Sequence, residues 1–515
     1  DVAERDAAAM TTAIDRLVAA ELLFRRGQGY VFKHALVQDV AYQSLLRSRR
    51  ALLHGRIAET LLGRFPSKAA AEPQTVAHHL EEAGRTEAAI DYYSLTADLA
   101  NDKGANREAK RYLERVLRLV ETLPPSKERD RREVAALTML GKVSAAIEGH
   151  ASPVTAAVYQ QALGRCREAD LGLAEFPIVL GLAVLRAVAG STHEAMELAR
   201  RLAELIEDVD DQTLAVEADY ALGITHSWRG DLAQARHHLE AARRNYSIEQ
   251  HSRHLALYGQ DPGVVCGCRG AMTLWYMGLP DQAAAQFEAS MALADQLGHS
   301  FSTNYALNWV AMHALECGDR TAAEAAVTAT LEHAAEQGFG TWLALGDVCR
   351  AHFLLEHGTL DEALEACVHA LEEARSTGSG CFEGLGLVLL AETLRRRREP
   401  EQGLARIEEA MQVIERGGAR WIEVEALRRR AACERDLGAT ESAGNTLETA
   451  LELSRRQGAR MLELRVSRDL TTYWAEGGDP ARGHALVSHC LAGFSEGHET
   501  RDLRAARTLL QSLDG

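Results

Sequence analysis

The chain has 515 residues, too many for one ordinary hydrophobic core, so several domains or a repeat array are expected. Prolines number only ten and aromatics make up 5%, a balance that favours helix over sheet. The formal charge of −17 argues against a nucleic-acid-binding surface over the whole molecule. No run reaches the ~18–20 apolar residues of a membrane span, and nine cysteines without framework spacing suit a reducing cytoplasm.

Residues 1–65 have a composition of their own, with ten Lys/Arg against seven Asp/Glu, while the rest of the chain carries −20. Ile14, Leu17, Val18 and Leu22 mark a short amphipathic helix. Leu23-Phe24-Arg25-Arg26, then Gly27-Gln28-Gly29, then Tyr30-Val31-Phe32 reads as a hairpin with a glycine-rich turn, and two helices are predicted over 34–46 and 49–64. Helix, hairpin and helices together predict a winged-helix fragment. The chain begins at Asp1 rather than Met, which reads as a piece of something longer.

Residues 66–189 are read as irregular helical repeats. Gly84 with Ala89, and Gly104 with Ala109 and Leu113, share one pattern 20 residues apart, and Pro124-Pro125 ends that unit. From 190 to 515 the pattern becomes regular. Gly190 and Gly230 are 40 residues apart, and Gly278, Gly318, Gly358, Arg398, Gly438 and Gly478 follow at that spacing. Five residues after each comes Ala195, Ala235, Ala283, Ala323, Ala363, Gly403, Ala443 or Gly483, and a second glycine series (Gly298, Gly338, Gly378, Gly418, Gly458) lies halfway between. A break every 20 residues leaves helices of roughly 16–18 residues, about 25 Å each. Glycine past a helix end takes the left-handed conformation and starts the turn. The small residue that follows lets the second helix of a pair cross the first closely. The fold class is therefore all-α, a tetratricopeptide-like right-handed superhelix of antiparallel helix pairs. It is a scaffold in which partners bind, and no enzyme by itself.

Between Gly230 and Gly278 the spacing is 48, which places eight inserted residues within 246–265. The turn chemistry of Gly259-Gln260-Asp261-Pro262-Gly263 makes Tyr258, Gln260 and Asp261 candidates for a functional loop, against a longer helix connection. Phe301, Trp342, Phe382 and Trp421 recur at about 40 residues near the starts of first helices. They would line a groove for a peptide or partner helix, or else form inter-repeat core. The runs Arg395–Arg398 and Arg428–Arg430 read as solvated helix faces.

Several chemistries are missing. No phosphate-binding loop occurs, since Gly141-Lys142 is followed by Val143, and His193-Glu194 is not followed by a second zinc-ligand histidine. His251, His254, Cys266 and Cys268 lie near one another, either as a metal set or as scattered residues. Cys166, Cys317, Cys349, Cys367 and Cys433 read as packing thiols.

Tyr30-Val-Phe-Lys-His34-Ala-Leu-Val-Gln-Asp39-Val-Ala-Tyr42, followed by Arg49-Arg50-Ala-Leu-Leu-His54-Gly-Arg-Ile-Ala58, resembles the winged-helix end of bacterial STAND-type signalling ATPases. Tyr258-Gly-Gln-Asp-Pro-Gly-Val-Val265 and Ser495-Glu-Gly-His-Glu-Thr-Arg-Asp-Leu503 look like the C-terminal half of a subgroup fused to a class III adenylate/guanylate cyclase. The resemblance implies a cytoplasmic nucleotide switch. The winged helix would pack on an upstream ATPase domain that holds ATP or ADP with Mg, and the repeats would sense a signal. It makes His34 the candidate for contact with the nucleotide phosphate, against a helix-start histidine satisfied locally. Arg47, Arg49 and Arg50 would face nucleotide or partner domain, or form a solvated basic face. The expected partners are the upstream ATPase and cyclase domains and an unknown protein or peptide, with no nucleic acid, no membrane and no cofactor held within these residues. A transcriptional regulator resembling the maltose activator and a free-standing tetratricopeptide adaptor are the alternatives. The purified chain is expected to show neither ATP hydrolysis nor cyclic-nucleotide synthesis in a coupled turnover assay, and robust turnover would overturn the scaffold reading.

Overall fold

The computed structural model describes residues 7–514 apart from Gln28 and His150. They form two compact units that meet in sequence at Val143 and Ser144. In the first, α1 (Ala7–Ala19) precedes an antiparallel hairpin of β1 (Leu23–Arg26) and β2 (Gly29–Phe32), in which Leu23 pairs with Phe32 and Arg26 with Gly29. Gly27 makes the turn at φ +63°. Then come α2 (Ala35–Gln43), α3 (Arg47–Arg64), α4 (Pro66–Ala71), α5 (Pro73–Glu82), α6 (Thr86–Asp102), α7 (Asn106–Glu121) and α8 (Lys127–Glu148), which runs into the second unit. Pro66 and Pro73 occupy first helical positions, where a missing N–H breaks no bond. Ala58, Val76, Leu80 and Ala89 form one buried cluster, which joins α3 to α5 and α6 across residue 65. Gly84 and Gly104 are left-handed, and Ala89 and Ala109 are fully buried, as the repeat pattern requires.

In the second unit α9 (Pro153–Glu168) leads into antiparallel pairs. These are α10 (Glu175–Val188) with α11 (Thr192–Leu205), and α12 (Gln212–Trp228) with α13 (Leu232–Asn245). A short extra helix, α14 (His251–Tyr258), intervenes before α15 (Pro262–Tyr276) with α16 (Pro280–Leu297), α17 (Ser300–Cys317) with α18 (Arg320–Gln337), and α19 (Gly340–His357) with α20 (Leu360–Ser376). The series ends with α21 (Gly380–Arg396) and α22 (Pro400–Gly417), α23 (Glu423–Asp436) and α24 (Thr440–Gln457), α25 (Arg460–Glu476) and α26 (Pro480–Ala492), and a final α27 (Arg501–Asp514). This is the tetratricopeptide-like superhelix of helix pairs that the 40-residue spacing predicts, with six helices of 18 residues.

The turn chemistry agrees with the spacing at every position of the main series except one. Gly190, Gly230, Gly278, Gly318, Gly438 and Gly478 all have positive φ, and Arg398, which stands in a glycine's place, is held at φ +68°. Gly358 is instead extended at φ −97°, because Thr359 and Glu362 close a reciprocal capping box that starts α20 differently. Five residues on, each small side chain is buried against its partner helix. A Cβ on Gly403 would meet the Ala391 carbonyl at 2.9 Å, and one on Gly483 would meet the Thr471 Cα at 2.9 Å.

The repeats also touch far along the sequence. A Cβ on Gly380 would lie 2.4 Å from the Ala189 carbonyl, and one on Gly417 would lie 2.4 Å from the Gly190 carbonyl. The Thr192 hydroxyl donates to the Gly417 carbonyl at 3.2 Å, and the Asp281 and Gln282 amides at the start of α16 donate to the Glu496 carboxylate at 3.0 and 3.1 Å. After about 190–225 residues the superhelix has therefore coiled once and rests on itself. Ala235→Leu or Ala363→Leu should cost about 1–3 kcal/mol through overpacking at the helix crossing, and Arg398→Gly should add about 1 kcal/mol by relieving its left-handed backbone. Thermal melts of the three variants check both signs.

Candidate functional site

The first helices of the pairs present their inner faces to one cavity of about 260 Å³ in the second unit. Tyr276 from α15, Glu316 from α17, His352 and Glu356 from α19, Glu392 and Arg396 from α21, Glu425, Arg428 and Arg429 from α23, and Arg465 and Arg468 from α25 all reach it, with Arg501 and Asp502 of α27 closing the far side. Arg465 is the hub, 2.7 Å from Glu316 and 2.7 Å from Asp502. Arg468 also meets Asp502 at 3.2 Å. Arg428 joins Glu425 (2.7 Å) to Asp469 (2.8 Å), Arg429 joins Glu425 (2.9 Å) to Glu392 (3.2 Å), and Arg396 joins Glu392 (2.7 Å) to Glu356 (2.9 Å).

Burial alone would raise the carboxyl pKa values here, but the arginines prevail. Hydrogen bonds from Arg395 and the charge of Arg429 hold Glu392 down to about 2, and Arg428 and Arg429 hold Glu425 well below the carboxylate range. Burial lowers His352, so it is neutral, and its Nδ1 makes no hydrogen bond. The site is thus a ring of ionised, mutually paired groups around a space large enough for several side-chain-sized groups. A charged ligand could enter by exchanging partners with the existing ion pairs.

Four arginines of the two runs are therefore not on solvated faces, whereas Arg398 is exposed. Arg395, Arg396, Arg428 and Arg429 are half-buried and committed to carboxylates on neighbouring helices. A sequence signal for this was present. At one repeat position Leu385 gives way to Glu425 and then Arg465, and at another Val388 gives way to Arg428 and Arg468, so the late repeats replace inner aliphatic positions with charge.

The aromatic column packs mainly into the core, although Trp421 also lines the edge of the cavity. Trp342, Phe382 and Trp421 are buried, and Phe301 packs edge-on against Trp342 at 5.4 Å. Trp228 covers both Phe382 (5.5 Å) and Trp421 (5.4 Å), and the Trp421 ring N–H donates to the Cys381 carbonyl at 3.3 Å. The physical reason is the stacking of superhelical turns, which brings α12 against the start of α23 and fills the inner space with rings. Beside them Arg269 is clamped between the Trp228 and Trp309 faces at 4.0 and 4.1 Å.

The inserted residues form α14 and a buried connection instead of a surface loop. Tyr258 and Gln260 are buried and Asp261 is fully so. Asp261 caps α15 by accepting from the Val264 amide, and its other oxygen accepts from the Tyr246 hydroxyl and takes the His251 ring, both at 2.8 Å. His254 pairs with Glu217 at 2.7 Å, and burial raises Glu217 to about 6. His251 and His254 are thus engaged with carboxylates, and burial pushes the Cys266 and Cys268 thiols up. Cys166, Cys349, Cys367 and Cys433 are buried, and Cys317 is partly buried. His34 stands exposed at the start of α2 and makes no capping hydrogen bond with its ring. Arg50 lies over the Tyr42 ring at 5.0 Å.

No family model matches the chain. An uncharacterised protein of Rhizobium meliloti is 25% identical over 320 residues, which are 59% of this chain, and the chain spans about 30% of that relative's length. Among solved structures, a Rap protein complexed with competence and sporulation factor matches 72% of this chain and 98% of its own, at TM-score 0.54 and 14% identity. The anaphase-promoting-complex hetero-tetramer Cut9–Hcn1 matches 93% and 92%, at 0.51 and 12%. A STAND protein with a tetratricopeptide repeat sensor from Pyrococcus horikoshii matches 86% and 69%, at TM-score 0.36 and 13% identity. The first two establish the helical-repeat fold. No helix among the described residues is long and apolar enough to cross a membrane.

Because Glu392 is held near 2 in the folded state against about 4.5 when free, its stabilising contribution is complete above pH 4.5 and is lost as the pH falls towards 2. An acid titration followed by circular dichroism should show Glu392→Gln unfolding with a weaker dependence on pH in that window than the parent chain. Trp421→Ala should cost about 3–5 kcal/mol in the same measurement, whereas a groove-lining ring would cost little.

Proposed function

We propose that this chain is the sensing and regulatory region of a multidomain, ATP-dependent signalling protein of the STAND type, with a nucleotide cyclase as its output. The observation that carries the reading is the charged cavity, in which Arg465 ties Glu316 to Asp502 across helices far apart in sequence. A charged signal, such as a short peptide, would compete for those arginines and carboxylates. Its binding energy would then act on the stacking of the superhelical turns, which gives two states a ligand can bias. The Rap protein that shares the fold was solved complexed with competence and sporulation factor, which supports a sensor role for a superhelix of this kind.

The first unit supports an upstream partner. Among the described residues from 8 to 50 only Leu23 is buried, while Leu36, Val40 and Leu46 are 73, 60 and 77% exposed. A layer of hairpin and helices whose apolar residues lie open has a face for a second domain to cover. The ATPase domain is the occupant the resemblance implies, with ATP or ADP and Mg held there and His34, on the same exposed layer, reaching the phosphate.

The test uses the full-length parent. Glu316→Gln should shift signal-free nucleotide turnover by about tenfold, the ~1–3 kcal/mol of a typical allosteric coupling. Leu46→Asp should disturb turnover in the parent while leaving the melting of the isolated chain unchanged. If both variants turn over nucleotide as the parent does, the regulatory reading fails.

A further inference from the structure

We propose that His54, His78 and His79 form a binding site for a zinc-class divalent metal ion. The site lies in the first unit, where the buried Ala58, Val76 and Leu80 hold α3 against α5. That packing sets His54 of α3 beside the adjacent pair His78 and His79 of α5. One ring nitrogen from each of the three lies within 4.8 Å of the other two. Imidazole nitrogen suits zinc, nickel, cobalt and copper, and three histidines with a fourth position open to solvent are a sufficient donor set. His78 is exposed and His54 is buried, so the ion would enter from the solvent side and rest on a fixed inner ligand.

The hydrogen bonds orient the rings for this task. Tyr42 has a single phenolic proton, which it directs to Glu82 Oε2 at 3.4 Å, and its oxygen lies 3.0 Å from His54 Nε2. While the Tyr42 proton is on Glu82, His54 Nε2–H donates to Tyr42 and the lone pair of His54 Nδ1 faces the other histidines. There it meets His79 Nδ1 at 2.8 Å. Two ring nitrogens at that distance share one proton at most, so the pair already excludes two protonated rings. Burial is the main cause that pulls His54 and His79 below the ordinary histidine value. Metal–nitrogen bonds of about 2.0–2.1 Å in a tetrahedron need ligand nitrogens roughly 3.3 Å apart. The His54–His79 pair would open by about half an ångström, and His79 would move its own proton to Nε2.

Equilibrium dialysis of the full chain against Zn2+, with Co2+ as a spectroscopic substitute, tests the site. One ion per chain and the visible absorption of tetrahedral Co2+ are expected. Tyr42→Phe should weaken affinity about 10–100-fold, the cost of losing an outer hydrogen-bond partner, and His78→Ala should weaken it further. His78 is exposed, so its loss should leave the fold intact, as circular dichroism would verify, and His54→Gln provides a second ligand deletion. Absence of bound metal in the parent chain overturns the proposal. So does unchanged affinity in His78→Ala and His54→Gln, which would place the ion elsewhere.

Discussion

A hydrogen or a methyl group at the fifth position after each turn decides how closely two helices of a pair can pass, and much of the second unit follows from that distance. At Gly403 and Gly483 not even a Cβ fits against the opposing backbone. Pairs this tight stack with a short advance, and after about 190–225 residues the array meets its own earlier repeats. The glycines at these meeting points then serve two purposes. Gly190, besides its left-handed turn, lies under the backbone of Gly380 and Gly417. Repeat proteins usually touch only their neighbours in sequence, which makes them quasi-one-dimensional. This one has contacts in a second direction.

Coiling back has a cost for polar groups. The inner faces of the first helices lose water, and the charges they carry must find partners inside. Arg465 does so with Glu316 and Asp502, and Glu392 with three arginines. Such networks contribute little net stability against well-packed apolar side chains of the same size, but removing one member leaves a charge unmatched. Arg269 takes another route. It is 3% exposed, donates to the Ser227 hydroxyl, and has two tryptophan faces for its charge. The contrast separates a cation held by rings in the packed interior from ion-paired ones around the cavity.

The parts legible in the sequence are those encoded locally. Gly230 and Ala235 announce a turn and a close crossing within six residues, and the same pair of signals identifies α5 with α6 and α6 with α7 in the first unit. Thr359 with Glu362 is a local signal too, and it explains why Gly358 alone departs from the left-handed series. The inserted turn misleads because Gly259 and Pro262 mark a bend without saying whether solvent reaches it, and Tyr246 and His251 bury it by binding Asp261. The aromatic column shows the same limit. A 40-residue period puts Phe382 and Trp421 on an inner face, but whether that face is open depends on Trp228, nearly 200 residues before Trp421. The histidine site needed His54 to be placed beside His79, and nothing within either helix predicts that.

The stacked turns also impose an order on synthesis. Repeats around Gly190 and Asp281 leave the ribosome well before Gly380, Gly417 and Glu496, the residues that cover them, have been made. At roughly 5–20 residues per second, a gap of about 190 residues lasts on the order of 10–40 s. During that interval the early repeats present an unfinished inner surface with Trp228 and Trp309 on it. A chain of this design is finished only when late repeats dock onto early ones, a step that a straight solenoid of the same pairs would not need.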